Sequence, residues 1–153
     1  MSITYTYDDH VAAAEFFMLL DKLSAAEDGN ERFPARDVFH KSLRDANKET
    51  HSLKHCISIT ARSEDHTLLG YLRIITDRTY IYYILDVMVD PHFQRQGIGT
   101  HLARLAIESG QAHGFIKIFL TAIPGLEQFY AKLGFRPGLS SVLVLRGEEH
   151  SSQ

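Results

Sequence analysis

Features that define several other classes of protein are scarce in this sequence. It has one cysteine in 153 residues, so no intrachain disulfide can form and a reducing compartment is expected. Its 16 basic residues against 19 acidic ones give a formal charge of -3. Nucleic-acid-binding domains are usually strongly basic, so we expect no nucleic-acid partner.

Long apolar segments are also missing. The longest apolar run, Tyr80–Val89, is about half of the ~20 residues that a membrane span requires, and it contains Asp86. The first ten residues have neither a basic stretch nor an apolar core, so we expect no secretory signal and a cytoplasmic protein. With 44% hydrophobic and 23% charged residues, the composition is that of a globular protein. We expect one domain over residues 1–146 and a polar tail over residues 147–153.

Helical periodicity dominates the first third of the chain. After a weak strand over residues 3–7, apolar residues recur with helical spacing, and Asp8 or Asp9 could cap that helix. A second helix is predicted to begin near Pro34, since proline is tolerated in a first turn. The apolar stripe of the first helix consists of Ala12, Phe16, Leu19, Leu20 and Leu23.

From residue 55 onward the pattern changes to the alternation that is typical of strands. Later segments return to helical spacing, and Gly114 and Gly134 are predicted to end two helices in the left-handed conformation. The predicted order is β-αα-βββ-α-β-α-β, which indicates an α/β (α+β) domain with a mixed, mostly antiparallel twisted sheet flanked by helices. The predicted elements after residue 54 are strands at 55–61, 68–76 and 80–89, a helix at 98–113, a buried strand at 116–122, a helix at 125–133 and a strand at 142–145.

The segment that joins the strand 80–89 to the following helix carries two glycines, Gly97 and Gly99. Glycine allows a tight turn and a close approach of the backbone to a ligand. The first N–H groups of a helix lack intrahelical partners and attract anions, so a phosphate or pyrophosphate site is one interpretation. A turn that needs glycine for its geometry alone is the other. No third glycine stands at Leu102 and no G-K-[ST] follows, so neither a dinucleotide-binding fold nor a nucleotide P-loop is supported.

A longer pattern favours the anion site. The tract from Leu85 to Gly114 resembles the acetyl-CoA-binding segment of the GNAT superfamily of N-acetyltransferases, whose signature is [QR]-x-x-G-x-[GA] after a strand that ends in V-x-P or V-D-P. Gln94, Gly97 and Gly99 fill the signature positions. Residues 129–135, FYAKLGF, are similar to a second family segment, F-Y-x-K-x-G-F, at the expected separation. Two motifs in the right order are far more specific than one.

The resemblance implies acetyl-CoA as co-substrate, direct transfer to a primary amine on a small molecule or peptide, and no metal. It places the pantetheine arm along Val87, Met88 and Val89, where a backbone N–H near Met88 or Val89 would polarise the acetyl carbonyl. Tyr130 matches the family's general acid, although its place on an apolar stripe also fits a core residue. The implied contacts of the CoA loop are Gln94, Arg95, Gln96, Gly97, Ile98, Gly99 and Thr100.

The general base is not evident from the sequence. The matching position on the long strand holds Tyr83, where the family often has glutamate or histidine. Alternation places Asp86 on the opposite face from Tyr83 and Leu85, and it could be either a structural hydrogen-bond acceptor or an anion that binds the acceptor amine. Ile123 stands where many relatives have an asparagine that touches pantetheine.

Other chemistry-bearing residues are assigned structural roles. Cys56 is expected to be a core cysteine, because its neighbour His55 points to the other face of the strand. His51 and His55 lack a carboxylate or cysteine partner for a metal. The resemblance also implies a homodimer through the terminal strands. A non-catalytic CoA-binding or sensing domain of the same fold is the alternative function.

Overall fold

The computed structural model describes residues 1–26 and 56–138. The second helix predicted near Pro34 and the strand predicted over residues 142–145 lie outside these residues. Within them the elements, in chain order, are β1 (Thr4–Tyr7), α1 (Ala13–Ala26), β2 (Ile57–Arg62), β3 (Leu68–Thr76), β4 (Tyr82–Val89), a 3₁₀ turn (Pro91–Phe93), α2 (Ile98–Ala112), β5 (Phe119–Leu120) and α3 (Glu127–Ala131).

The described strands form one mixed sheet in the order β1-β2-β3-β4-β5. The first four strands are antiparallel to their neighbours, and β5 runs parallel to β4. Parallel neighbours require a crossover, and α2 provides it. The mixed, mostly antiparallel sheet predicted from the sequence is confirmed.

Helices cover the sheet on both faces. On one face, α1 packs its apolar stripe against β3 and β4, with the rings of Phe16 and Tyr71 in edge contact at 5.3 Å between centroids. On the other face, α2 lies directly on Gly70, where an added Cβ would approach Cγ2 of Ile98 to 2.9 Å. A glycine is therefore needed at residue 70 for α2 to reach the sheet.

The start of α1 differs from the prediction. Four residues of the predicted stripe are buried, but Ala12 is exposed and Val11 is buried in its place. Asp9 does not cap the helix; its carboxylate accepts hydrogen bonds from Thr60 at 2.7 Å and from Arg62 at 2.9 Å. The N–H of Ala12 donates instead to Glu15, three residues on, as in half of a capping box.

The α2 helix agrees with the sequence pattern. It begins at Ile98 and ends at Ala112, and Gly114 follows with φ of 83°. This left-handed residue closes the helix as predicted. The buried side of α2 consists of Ile98, Leu102, Ala103, Ala106 and Gly110.

Two predictions after α2 are wrong in extent. The buried strand expected over residues 116–122 is reduced to Phe119–Leu120, and Ile116 is 97% exposed. An apolar run favours a strand, but its burial depends on neighbours, and β4 is the one described strand that pairs with β5. The helix expected over residues 125–133 is Glu127–Ala131, followed by Gly134 with φ of 97°.

Candidate active site

Strand β4 carries a bulge at its middle. Arg73 of β3 pairs with Leu85, but Tyr71 pairs with Met88, so β4 has one extra residue over this stretch. Asp86 lies in the bulge with φ of 52°, in the left-handed region that aspartate tolerates better than most residues. The alternation that placed Asp86 opposite Leu85 is therefore interrupted. Its carboxylate forms an ion pair with Arg73, whose Cα faces Leu85.

Beside the bulge the sheet is open. The described part of β5 pairs with β4 at two positions, Tyr83 with Phe119 and Ile84 with Leu120. From Leu85 to Val89, the β5-facing edge of β4 thus has no strand partner within residues 1–26 and 56–138. An extended ligand arm could bond to this edge as an additional strand does. The three residues assigned to pantetheine lie on this stretch.

The loop after β4 leads into the N-terminus of α2. Gln94 donates from its side-chain amide to the Val89 carbonyl at 3.1 Å, and Arg95 and Gly97 adopt φ of 61° and 86°. Gly97 is the N-cap of α2, and the first intrahelical bond runs from His101 N–H to its carbonyl at 2.9 Å. The N–H groups of residues 98–100 precede that bond and are available to an anion. Side chains 94–96 are exposed, whereas Ile98 is buried and could contribute only its backbone.

The two loop glycines play different parts. Gly97 requires glycine for its backbone conformation, and an added Cβ there would meet open space. Gly99 is helical, and an added Cβ would lie in ordinary contact, 3.6 Å from Cγ2 of Val89 and 3.7 Å from Cζ of Phe129. The turn expected from the two glycines is therefore made at Gly97, and the close approach of either glycine to a ligand stays a prediction. Gly99 explains why the family pattern permits glycine or alanine at its position.

These contacts bring three separate segments together. Val89 ends β4, Gly99 lies in the first turn of α2, and Phe129 lies on α3, and all three meet at one point. Tyr130 follows Phe129, with the two rings edge to face at 4.9 Å. The helix that carries the predicted general acid therefore packs against the predicted phosphate loop.

Tyr130 is 8% exposed. Burial raises the pKa of its phenol above the ordinary value, so the hydroxyl remains protonated at neutral pH. Among the described residues the hydroxyl has no hydrogen-bond partner. A phenol in this state can donate a proton to a stronger base.

Tyr83, at the predicted base position, is half-buried, and its hydroxyl shares a hydrogen bond with the hydroxyl of Thr121 just after β5. Asp86 is close along β4, but Nη2 of Arg73 lies 2.5 Å from its Oδ2. Burial raises the pKa of Asp86, and the charge and hydrogen bond of Arg73 oppose that rise. These contacts support the structural interpretation of Asp86.

Cys56 is half-buried, and His51 and His55 lie outside the described residues. Burial raises the pKa of the Cys56 thiol, which disfavours the reactive thiolate. No group of three potential metal ligands is found in the described stretches, and none of the helices described there is long and apolar enough to cross a membrane.

Sequence reasoning missed an ion pair at the end of β4. Asp90 is 2% exposed, and Lys22 of α1 donates to its Oδ2 at 2.8 Å. Burial raises the pKa of Asp90, but hydrogen bonds from Lys22 and His92 outweigh burial and lower it below the ordinary value. Aspartate directly before proline is a known cap signal, and it could have identified Asp90. Nothing local in the sequence could have identified Lys22, which is 68 residues away.

Fold and site together define this chain as a small α+β domain in which a helix N-terminus lies beside an open strand edge. Residues 16–135 match the sequence model of the acetyltransferase (GNAT) family, and the chain belongs to that family.

Relatives with known names support this assignment. The chain is 33% identical to the uncharacterized N-acetyltransferase ycf52 of Porphyra purpurea over 55% of its own length and 51% of the relative. It is 34% identical to histone acetyltransferase TAP1 of Glycine max, over 48% of its own length and 32% of the relative. The matches to these curated relatives thus span about half of their length or less.

Solved structures agree on the fold. An aminoglycoside acetyltransferase, HMB0005, from an uncultured soil metagenomic sample superposes with a TM-score of 0.65 at 21% identity. The match covers 96% of this chain and 100% of that one. At this identity the likeness concerns the fold alone.

Proposed function

We propose that this protein is an acyltransferase that transfers the acetyl group of acetyl-CoA directly to a primary amine on a small molecule or peptide. The observation that carries the proposal is the meeting of Val89, Gly99 and Phe129, which joins the open strand edge, the anion-attracting helix end and the helix of Tyr130. Family membership supports acetyl-CoA as the co-substrate. The relatives' names cover acceptors as different as histones and aminoglycosides, so they support an amine but no particular one.

Binding of the co-substrate is assigned to the loop and the strand edge. The pyrophosphate is held by N–H groups of residues 96–100, and the pantetheine arm lies along Val87, Met88 and Val89. A backbone N–H near Met88 or Val89 polarises the acetyl carbonyl. Removing one such donor in other enzymes costs about 3 kcal/mol of transition-state stabilisation.

The transfer step needs one proton to leave and one to arrive. The amine nitrogen attacks the thioester carbonyl, the C–N bond forms, the C–S bond breaks, and the thiolate takes a proton from Tyr130. The proton lost by the nitrogen passes to solvent by way of the base position, and solvent returns a proton to Tyr130. We propose Tyr83 as the base position, since it lies on β4 two residues before the open edge, with a hydroxyl partner in Thr121. Asp86 is proposed as a structural acceptor for Arg73.

A thiol-release assay tests this function. Wild-type protein with acetyl-CoA and a broad panel of primary amines should liberate CoA in the presence of at least one amine. CoA binding without turnover on any amine would favour the non-catalytic CoA-binding or sensing domain, and absence of CoA binding would contradict both functions.

We further propose a single domain over residues 1–146 and a cytoplasmic location.

We also propose a homodimer, because the family resemblance implies pairing through the terminal strands and the predicted strand Val142–Leu145 would otherwise present an open edge. Equilibrium sedimentation at tens of micromolar, an order-of-magnitude concentration that detects ordinary interfaces, should show a dimer. A monomer alone at that concentration would contradict it.

A further inference from the structure

Asp90 is a junction between β4 and the loop that follows. Its N–H donates to the carbonyl of Leu69 at 2.7 Å, which continues the pairing of β3 and β4 by one residue. Its own carbonyl accepts from Phe93 N–H at 2.8 Å and closes the 3₁₀ turn. Oδ1 accepts from the backbone N–H of His92 at 3.0 Å, with Nδ1 of the same residue 3.2 Å away. The backbone that enters the loop is therefore held by one buried side chain.

Lys22 holds the remaining carboxylate oxygen. It lies near the end of α1, between Leu20 and Leu23, which are buried against the sheet. Its Nζ is 2.8 Å from Oδ2 of Asp90, with 40% of the lysine side chain and 2% of the aspartate side chain exposed. A carboxylate this buried needs a cation, because an uncompensated buried charge is strongly destabilising.

The junction leads directly to the anion site. Gln94, the next residue after the 3₁₀ turn, is fixed by its bond to the Val89 carbonyl, and Gly97 begins α2 three residues later. Asp90 is thus separated from the assigned phosphate-binding N–H groups by one short, bonded segment. A negative charge at this place would repel a pyrophosphate unless it is neutralised.

We propose that Lys22 is a positioning residue for the CoA phosphates: through Asp90 it fixes the entry of the phosphate loop and cancels the nearby negative charge. This inference rests on the proposed function, since it assumes that the loop binds CoA. In this role Lys22 acts on the loop only through its ion pair with Asp90.

Calorimetry with CoA and with pantetheine, which lacks the phosphates, tests the proposal. Lys22→Met should weaken CoA binding by about tenfold or more, since truncating one partner of a buried charge pair is costly. Pantetheine binding should be unchanged. Lys22→Arg, which keeps the charge, should restore most of the CoA affinity.

A matched control is Glu15→Gln. Glu15 ties the other end of α1 to the sheet through Arg62, with Nη1 2.7 Å from Oε1. This variant should lose stability but keep the wild-type affinity for CoA. An equal loss of CoA affinity in Glu15→Gln and Lys22→Met would show that any loosening of α1 suffices, and would overturn the proposal.

The double variant Lys22→Met with Asp90→Asn covers the case in which Lys22→Met does not fold. It removes both charges and keeps a good cap, because asparagine caps as well as aspartate. We expect the double variant to bind CoA more weakly than wild type and, where Lys22→Met folds, more tightly than Lys22→Met. Wild-type affinity in the double variant would overturn the positioning role. If wild-type protein binds no CoA, the proposed function itself fails. If wild type binds CoA and a folded Lys22→Met binds it equally well, only this inference fails.

Discussion

Arg73 and Asp86 form an ion pair across β3 and β4, with Nη2 2.5 Å from Oδ2, at the bulge that interrupts their pairing. Arg73 is 6% exposed, and Asp86 adopts φ of 52°. The bulge thus carries the carboxylate to the buried guanidinium, next to the strand edge assigned to pantetheine. The one acidic side chain of β4 is therefore paired with Arg73 at the bulge.

Asp86→Asn should reduce the free energy of unfolding by about 3 kcal/mol, because it removes the charged partner of the buried Arg73 in this ion pair. Asparagine tolerates the left-handed backbone, so strain does not contribute. Asp8→Asn is the matched control, because Asp8 also has a left-handed backbone, with φ of 57°, but is exposed. Its substitution should change the free energy of unfolding by no more than about 0.5 kcal/mol. Urea unfolding measures both. A stable Asp86→Asn with a raised KM for the amine would instead assign Asp86 to the acceptor site.

Gly97→Glu should abolish measurable CoA binding, since it places a side chain and a negative charge in the anion site. Gly114→Glu is the matched control, because φ is 83° at Gly114 and 86° at Gly97. An added Cβ would meet open space at both residues. Both variants should lose about 1–2 kcal/mol of stability from the left-handed backbone. Calorimetry with CoA on the two folded variants should show the loss in Gly97→Glu alone. Unchanged CoA binding by Gly97→Glu would mean that the loop is wrongly assigned.

Tyr130→Phe should lower kcat by ~10²–10⁴-fold, because a positioned general acid contributes that much. The KM for acetyl-CoA should change by no more than a few-fold. Stability should change by about 1 kcal/mol or less, since the ring still packs against Phe129 and Phe135. An unchanged kcat in the thiol-release assay would remove Tyr130 from the mechanism.

Tyr82→Phe is the control for that variant, and it also carries a prediction on alkaline pH. The Tyr82 hydroxyl donates to the Ala106 carbonyl at 2.6 Å, and burial raises the pKa of Tyr82 to about 12. Because the pKa of Tyr82 is higher in the folded state, the protonated phenol contributes its full stabilisation at pH values below the unfolded-state pKa of ~10. This stabilisation is lost as the pH rises through the folded-state pKa. This group alone accounts for a loss of up to ~3 kcal/mol over that interval.

Wild type should therefore lose stability more steeply than Tyr82→Phe between about pH 9 and pH 12, as measured by urea unfolding at each pH. At neutral pH the variant should be less stable by about 1 kcal/mol for the lost hydrogen bond, with kcat unchanged. Parallel pH profiles for the two proteins would contradict this role of Tyr82.

Local patterns predicted much of the fold. The bounds of β3 and the start of α2 agree with the sequence, because alternation and 3.6-residue spacing report directly on which side of an element is buried. Gly114 and Gly134 end their segments in the predicted left-handed conformation. The motif around Gly97 predicted the turn, since only glycine adopts that backbone readily.

Predictions that depended on distant neighbours were less accurate. Residues 116–122 are apolar enough for a buried strand, yet β5 is two residues long and Phe119 is 42% exposed. Asp9 has the chemistry of a helix cap, but its carboxylate accepts hydrogen bonds from Thr60 and Arg62 instead. Both residues are more than fifty positions away in the sequence. The bulge at Asp86 has no local signature, and it interrupts the alternation from which the face of that side chain was predicted.

By itself, the sequence determined the class of fold, the anion-attracting turn at Gly97 and the candidacy of Tyr130, because each depends on short-range backbone preferences or on a motif. Tertiary structure alone decided that Arg73 pairs with Asp86, that Lys22 holds Asp90, and that Phe129 lies beside Gly99. The physical reason is that a charge or a ring is satisfied by whichever group the folded chain brings within a few ångströms. The distance along the sequence carries no information about that partner.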